Sequence, residues 1–101
     1  MALRTELQAM AAEMTAWRHD LHQHPELGYA ETRTSSAVAE RLESWGLEVH
    51  RGIGRTGVVG VLKGELGDGP ALGLRADMDA LPMEEESGAD HRSTNPGVFH
   101  G

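Results

Sequence analysis

Apolar residues recur at helical spacing through the first part of the chain. The intervals of three and four place them on one stripe of a helix. The stripe comprises Leu7, Met10, Met14, Trp17 and Leu21. Pro25 predicts that this helix ends near residue 24, because the residue before a proline avoids the helical conformation. We expect the stripe to pack into a core.

The pattern then predicts a second helix and a change to strands. Val38, Leu42 and Trp45 share a face of a helix over residues 30–45, and Gly46 fits its left-handed C-terminal position. "LEVHRGI" alternates as a strand does, and "TGVVGVLKG" is a short β-branched run. "ALGLRADM" is apolar on both sides, which is typical of a central strand. The predicted fold class is α/β, with two N-terminal helices followed by three strands.

The predicted third strand has no complete set of partners in this sequence. A strand that is apolar on both faces requires cover on both faces, and the two predicted helices can cover one. After Pro82 the chain becomes polar and reads as a long loop. We therefore expect either that the chain dimerises or that it is a piece of a larger domain.

Composition excludes several classes of function. The formal net charge of −7 in 101 residues offers no basic patch for nucleic acid. The absence of cysteine excludes disulfides and thiolate metal ligands within this sequence. The N-terminus lacks the apolar core of a signal peptide, and no apolar run is long enough to span a bilayer. We expect a cytoplasmic protein that binds neither nucleic acid nor membrane.

One glycine-rich motif imitates a nucleotide site. "GIGRTG", Gly52 to Gly57, fits the spacing of the dinucleotide fingerprint, and Asp77 follows at about the distance of its ribose-binding acid. The fingerprint requires a helix after the glycines, and here "VVGVLKG" predicts a strand. A flexible turn between two strands explains the glycines better.

The histidines and the acidic run have ordinary structural explanations. His19 and His22 lie three residues apart on the first helix, but a metal site needs more ligands than these, and His24 points elsewhere. We expect these histidines to make local hydrogen bonds or to face water. The run Glu84–Glu86 is predicted to be a solvated loop, although one of its carboxylates could contact a basic group near a site.

The aspartates of "LGLRADMDALP" are the strongest candidates for function. Asp77 and Asp79 are separated by one residue, so on a strand they would point to the same side. They end a predicted strand, where open α/β sheets place their ligands. The pair could bind a divalent cation or orient a histidine ligand, and the alternative is loop capping.

Three segments together resemble one enzyme family. They are "WRHDLHQHPELGYAETRTSSAVAERLESWGLEV", "GIGRTGVVGVLKG" and "GLRADMDALPMEEESG". In this order they resemble the metal-dependent amidohydrolases and peptidases that include hippurate hydrolase, N-acyl-amino-acid amidohydrolases and auxin-conjugate hydrolases. The resemblance implies that residues 1–101 are the N-terminal part of a zinc-peptidase-like α/β sandwich, a catalytic domain that is incomplete here and lacks its lid and dimerisation domain.

The resemblance also implies roles for the aspartates. Asp79 matches an aspartate that orients a metal ligand, and Asp77, a weaker candidate, stands where wider relatives have a ligand histidine. In this subfamily a Cys-x-His element supplies ligands directly after a segment like "PGVFHG". We therefore expect the metal ligands just after Gly101 and no metal ligand within residues 1–101.

The activity implied by the resemblance is hydrolysis of the amide bond of N-acyl amino acids by the full-length enzyme. Its cofactors would be divalent metal ions (zinc, manganese, nickel or cobalt), and the full-length enzyme is expected to be a homo-oligomer. The 101-residue chain alone is expected to be inactive and to hold no metal. The alternative is a non-catalytic α/β module that binds a protein partner, or itself, through its uncovered sheet face.

Overall fold

The computed structural model describes residues 2–101, and this part of the chain contains three helices and one two-stranded sheet. The helices are α1 (Ala2–Ala9), α2 (Ala11–Gln23) and α3 (Thr32–Ser44), and the strands are β1 (Glu48–Ile53) and β2 (Gly57–Val61). The chain forms two units. The central unit spans Glu26–Asp79, and the terminal unit combines Ala80–Gly101 with the residues up to Pro25. Within residues 2–101, no helix has the length and apolarity to cross a membrane.

The first predicted helix is divided at Met10. Met10 lies between α1 and α2 and keeps a hydrogen bond from its N–H to the carbonyl of Leu7, 3.2 Å away. The predicted end is confirmed, because α2 stops at Gln23, two residues before Pro25. The predicted core packing of the stripe is wrong for Leu7, Met10 and Met14. They are exposed, since the described residues of the terminal unit leave that side of α1 and α2 uncovered.

The C-terminal loop of the terminal unit closes the end of α2. The carbonyl of Gln23 accepts hydrogen bonds from the backbone N–H and the hydroxyl of Thr94, both at 2.8 Å. The Asn95 amide donates to the carbonyl of Pro25 at 3.2 Å. The Thr94 contacts satisfy a carbonyl that the last turn of a helix leaves without a partner, and the Asn95 contact holds Pro25 just beyond the helix. An antiparallel bridge between Leu81 and Phe99 pairs the two ends of the loop.

The central unit packs α3 against an antiparallel hairpin of β1 and β2. At Gly60 of β2, a Cβ atom would lie 3.1 Å from methyl groups of both Leu42 and Leu47, so glycine allows the close approach. Gly54–Thr56 form the turn of the hairpin, as the sequence predicts for "GIGRTG". Gly46 has φ +82°, which confirms the predicted left-handed residue after α3.

The predicted third strand does not form. Residues 62–79 contain no strand, and Leu72 and Leu74 are 87% and 91% exposed. A strand needs a neighbouring backbone to receive its hydrogen bonds, and the sheet of the described residues consists of β1 and β2. The α/β class is confirmed, while the arrangement of two helices and three strands is corrected to three helices and two strands.

A glutamate outside α3 caps the start of that helix. The carboxylate of Glu26 accepts hydrogen bonds from the backbone N–H groups of Thr34, at 2.6 Å, and Arg33, at 3.0 Å. Burial alone would raise the pKa of Glu26, but these hydrogen bonds, together with those of the Thr34 side chain and the charge of Arg33, lower it below 4.5. A carboxylate at this position also interacts favourably with the helix dipole.

We predict that Glu26→Ala lowers the free energy of unfolding of the central unit by about 1 kcal/mol, the usual cost of losing a helix cap. Because the folded-state pKa is lowered, the stabilisation is present above pH 4.5 and is lost as pH falls through the folded-state pKa. Hydrogen exchange of the Arg33 and Thr34 amides measures the effect directly. The control is Glu40→Ala, an exposed glutamate of α3. Equal protection in both variants would contradict the capping role.

Candidate functional site

The two candidate aspartates do not form a paired site. Asp77 accepts a hydrogen bond from Arg75 at 2.7 Å, and both side chains are exposed. Asp79 lies beside Gly28, where a Cβ atom would be 3.6 Å from Oδ2 of Asp79. The prediction that both carboxylates point to one side of a strand fails, because residues 72–79 do not form a strand. The structure thus separates the surroundings of Asp79 from those of Asp77.

The described residues do not fit a metal site. Residues 2–101 contain no group of three histidine, cysteine, aspartate or glutamate side chains that could hold a metal ion. Asp77 is engaged with Arg75, and His24 lies 3.9 Å from Asp20 on the exposed side of α2. No metal-dependent step is therefore assigned to these side chains.

The loop beside Asp79 is tied to the turn of the hairpin. Glu31 is only 6% exposed, and its carboxylate accepts hydrogen bonds from the Ala30 N–H at 3.0 Å and the Thr56 hydroxyl at 2.9 Å. Two residues next to these contacts, Tyr29 and Arg55, have positive φ angles of 65° and 82°. This φ region is rare for residues with side chains. Sequence reasoning missed this connection, since it joins positions about 25 residues apart that no local pattern links.

The terminal unit contains a buried carboxylate, Glu85. Its side chain is 5% exposed. Its two oxygens, Oε1 and Oε2, lie 3.0 and 3.1 Å from Nε2 of His22. The hydroxyl of Ser87 and the backbone N–H of Ser93, at 2.7 Å, also donate to it. The Ser87 hydrogen bond, followed by those of Ser93 and His22, outweighs the effect of burial and lowers the pKa of Glu85 to about 2. Because Glu85 is an acceptor only, His22 carries its proton on Nε2.

A pair of stacked histidines lies beside this carboxylate. The rings of His19 and His91 are parallel within 2° and their centroids are 3.8 Å apart, and His22 meets His91 edge-on at 5.2 Å. Arg18 donates to Nε2 of His19 at 3.0 Å, so that nitrogen is unprotonated. Burial, followed by the charges of His91, Arg18 and His22, lowers the pKa of His19 below 6.5.

These contacts test the predictions made for the histidines of α2 and for the acidic run Glu84–Glu86. His19 contacts Arg18 and His24 contacts Asp20, as expected of local contacts, although His19 also stacks on His91. The expectation is wrong for His22, whose hydrogen bond is to Glu85 of the C-terminal loop. Glu85 is not solvated as the run was predicted to be, but it contacts the imidazole of His22, in line with the alternative that one carboxylate of the run contacts a basic group. His91 and Ser93 were missed, because nothing in their local sequence marks them as partners of α2.

Comparison with known proteins identifies relatives of the chain. Hippurate hydrolase of Campylobacter jejuni is 44% identical over 100 residues, which are 99% of this chain and 26% of the relative. N-acyl-L-amino acid amidohydrolase of Geobacillus stearothermophilus is 45% identical over 89 residues, 87% of this chain and 24% of the relative. The Bacillus subtilis YXEP protein, described as a dinuclear metal binding peptidase of the M20 family, matches with a TM-score of 0.84 and 35% identity, over 92% of this chain and 26% of that chain. No model of a protein family matches the chain.

The chain is similar in sequence to amidohydrolases and in fold to a peptidase of the M20 family. This confirms the family resemblance that the sequence carries. The chain spans about a quarter of the length of the curated relatives it matches. The fold of residues 2–101 therefore corresponds to a portion of an M20 enzyme, and it includes Asp79, Glu85 and the histidines described above.

We predict that Glu85→Gln loosens the C-terminal loop from α2. Glutamine keeps the size of the side chain but loses the charge and replaces one acceptor oxygen with an NH2 donor, so its hydrogen bonds from His22, Ser87 and Ser93 cannot all be kept and the Ser93 amide should exchange with solvent faster. The matched control is Glu86→Gln, which alters the exposed neighbour in the same run. The lowered pKa means that wild-type Glu85 stabilises the unit above pH 4.5 and loses its effect as pH falls toward about 2. Unchanged Ser93 protection in Glu85→Gln would refute this.

We predict that His91→Phe raises the pKa of His19 part of the way back to 6.5. Phenylalanine can keep the ring stack but removes the neighbouring charge, while the burial of His19 remains. In the wild type, the unfolded state binds a proton at His19 before the folded state does, so stability falls as pH drops below 6.5. Titration of the imidazole signals by NMR measures the shift, with His50→Gln on the exposed hairpin as control. A His19 pKa that stays unchanged in His91→Phe would contradict the coupling.

Proposed function

We propose that residues 1–101 form the N-terminal part of the catalytic domain of a metal-dependent amidohydrolase. Its reaction would be hydrolysis of the amide bond of N-acyl amino acids of the hippurate type. The observation that carries the proposal is the 44% identity to hippurate hydrolase across 99% of the chain. The identity of 45% to an N-acyl-L-amino acid amidohydrolase supports the same substrate class.

We propose that the whole enzyme uses divalent metal ions, in line with the dinuclear metal binding of the YXEP protein. Zinc, manganese, nickel and cobalt all remain candidates. The described residues offer no set of three ligands, so we propose that the ligands come from residues after Gly101. On this proposal the isolated 101-residue chain is inactive and holds no metal.

The proposed role of Asp79 is to orient a metal ligand without binding the metal itself. Its support is the match of "RADMDALP" to the family motif together with its position beside Gly28, where the loop backbone comes close to the carboxylate. Asp77 is the weaker candidate, since it already accepts a hydrogen bond from Arg75 at 2.7 Å. A carboxylate that orients a metal ligand holds that ligand in the position needed to bind the metal. Replacing Asp79 with asparagine should therefore weaken metal binding as well as turnover.

The remaining parts of the proposal concern the setting of the enzyme. We propose a small-molecule substrate, a homo-oligomeric full-length enzyme and a cytoplasmic location. Neither nucleic acid nor membrane is a proposed partner, and the net charge of −7 supports the first of these.

A chimaera tests the proposal. Residues 1–101 replace the matching quarter of Campylobacter jejuni hippurate hydrolase, and release of glycine from hippurate is measured with and without a chelator. We expect chelator-sensitive hydrolysis. Asp79→Asn in this chimaera should lower activity by roughly 10–100-fold and weaken metal retention, as is usual when a group that orients a metal ligand is lost.

Controls separate the role of Asp79 from general damage to the protein. Asp68→Asn, at an exposed turn of the central unit, should leave turnover and metal content unchanged, and Asp77→Asn should have a smaller effect than Asp79→Asn. A folded chimaera that retains metal but does not hydrolyse hippurate or N-acetyl amino acids would overturn the enzymatic proposal. The non-catalytic binding module would then be the reading to pursue, and the exposed Leu72 and Leu74 would be its first candidate surface.

A further inference from the structure

The backbone of the central unit is strained at two neighbouring side chains. Tyr29 and Arg55 both adopt positive φ, a conformation that costs energy in residues with a Cβ atom. Such outliers persist where surrounding contacts fix them, and they concentrate at sites that bind or react. At Arg55 the positive φ belongs to the hairpin turn, and the next residue, Thr56, donates its hydroxyl to the buried carboxylate of Glu31.

Arg55 and Tyr29 form a cation–π pair. The guanidinium carbon of Arg55 lies 5.4 Å from the centroid of the Tyr29 ring, within the range of a cation–π interaction. Tyr29 is 71% exposed, so the pair lies at the surface of the unit. A cation–π contact supplies no hydrogen-bond acceptor, and the N–H donors of the guanidinium remain available for one.

Arg55 differs in this respect from other arginines of the same unit. Arg51 is paired with Glu43, and Arg75 is paired with Asp77. Arg55 has no carboxylate partner among the described residues, in a chain with 16 acidic and 9 basic side chains. A planar guanidinium with unused donors is suited to a carboxylate, which it can bind through two parallel hydrogen bonds.

The position of the pair relates it to the proposed reaction. Gly28, the neighbour of Tyr29, is the residue that lies against Asp79. One short loop therefore passes close to Asp79 at Gly28 and places the Tyr29 ring against the guanidinium of Arg55. We propose that Arg55, positioned by Tyr29, binds the free carboxylate of the N-acyl amino acid substrate. This inference rests on the proposed function and names the residue that would select substrates with a carboxylate.

Binding is tested first on the 101-residue chain, with hippurate as the probe and its uncharged amide, hippuramide, as the matched ligand. NMR titration follows the Arg55 side-chain N–H and the Tyr29 ring. We expect hippurate to shift both signals and hippuramide to bind about tenfold more weakly, the usual effect of losing a charged hydrogen-bond partner. Arg55→Met should abolish the difference, and Arg55→Lys should restore part of it. Equal shifts with both ligands in the wild type would overturn the proposal.

The kinetic test uses the hippurate hydrolase chimaera. Arg55→Met should raise KM for hippurate about tenfold with little change in kcat, because a carboxylate anchor distant from the reacting bond contributes to substrate and transition state alike. Lys63→Met, which removes another exposed charge of the unit, should leave KM unchanged. A chimaera without any hydrolysis contradicts the proposed function. An active chimaera in which Arg55→Met leaves KM for hippurate unchanged contradicts the role of Arg55 alone.

Discussion

A carboxylate removed from water must receive hydrogen bonds, and this constraint organises both units of the chain. Glu26 accepts hydrogen bonds from backbone amides in the first turn of α3, and Glu31 accepts them from its own loop and from the hairpin turn. Glu85 accepts hydrogen bonds from α2 and from the C-terminal loop. Glu31 and Glu85 thereby join segments that are distant in sequence. The buried apolar side chains are few and small, with Ala39, Ala80 and Val98 among them. Polar contacts with defined geometry therefore fix the loops that carry the candidate functional residues.

The same scarcity of apolar burial explains what the structure leaves exposed. The segment that precedes Asp77 has the composition of a central strand, yet Leu72 and Leu74 face water and the segment makes no sheet. An apolar strand gains stability only when both its hydrogen bonds and its side chains find partners. The chain spans a quarter of the length of its relatives. The partners that this strand-like pattern requires are not found among the described residues.

Features encoded by neighbouring residues could be predicted from the sequence, and features encoded by distant residues could not. The end of α2 before Pro25, the left-handed Gly46 and the hairpin turn of "GIGRTG" follow from local rules and are observed. Local rules also predict a third strand, which does not form because the described residues supply no partner for it. The acidic run shows the same limit within one motif. Glu86 is exposed as predicted, whereas Glu85 is buried because His22, 63 residues earlier, lies opposite it.

The terminal unit contains two kinds of titratable contact, the carboxylate of Glu85 and the stacked histidines, and they respond differently to acid. Glu85 keeps its charge down to a pH of about 2, so its hydrogen bonds to Ser87, Ser93 and His22 persist through mild acid. The stack of His19 on His91 has the opposite behaviour, because burial and neighbouring positive charge oppose protonation of His19. Protonation of His19 therefore acts against the stack on His91, whereas Glu85 keeps its hydrogen bonds until the pH approaches about 2. The C-terminal loop is thus attached to α2 by contacts that differ in their response to protonation, although His91 and Ser93 belong to the same loop.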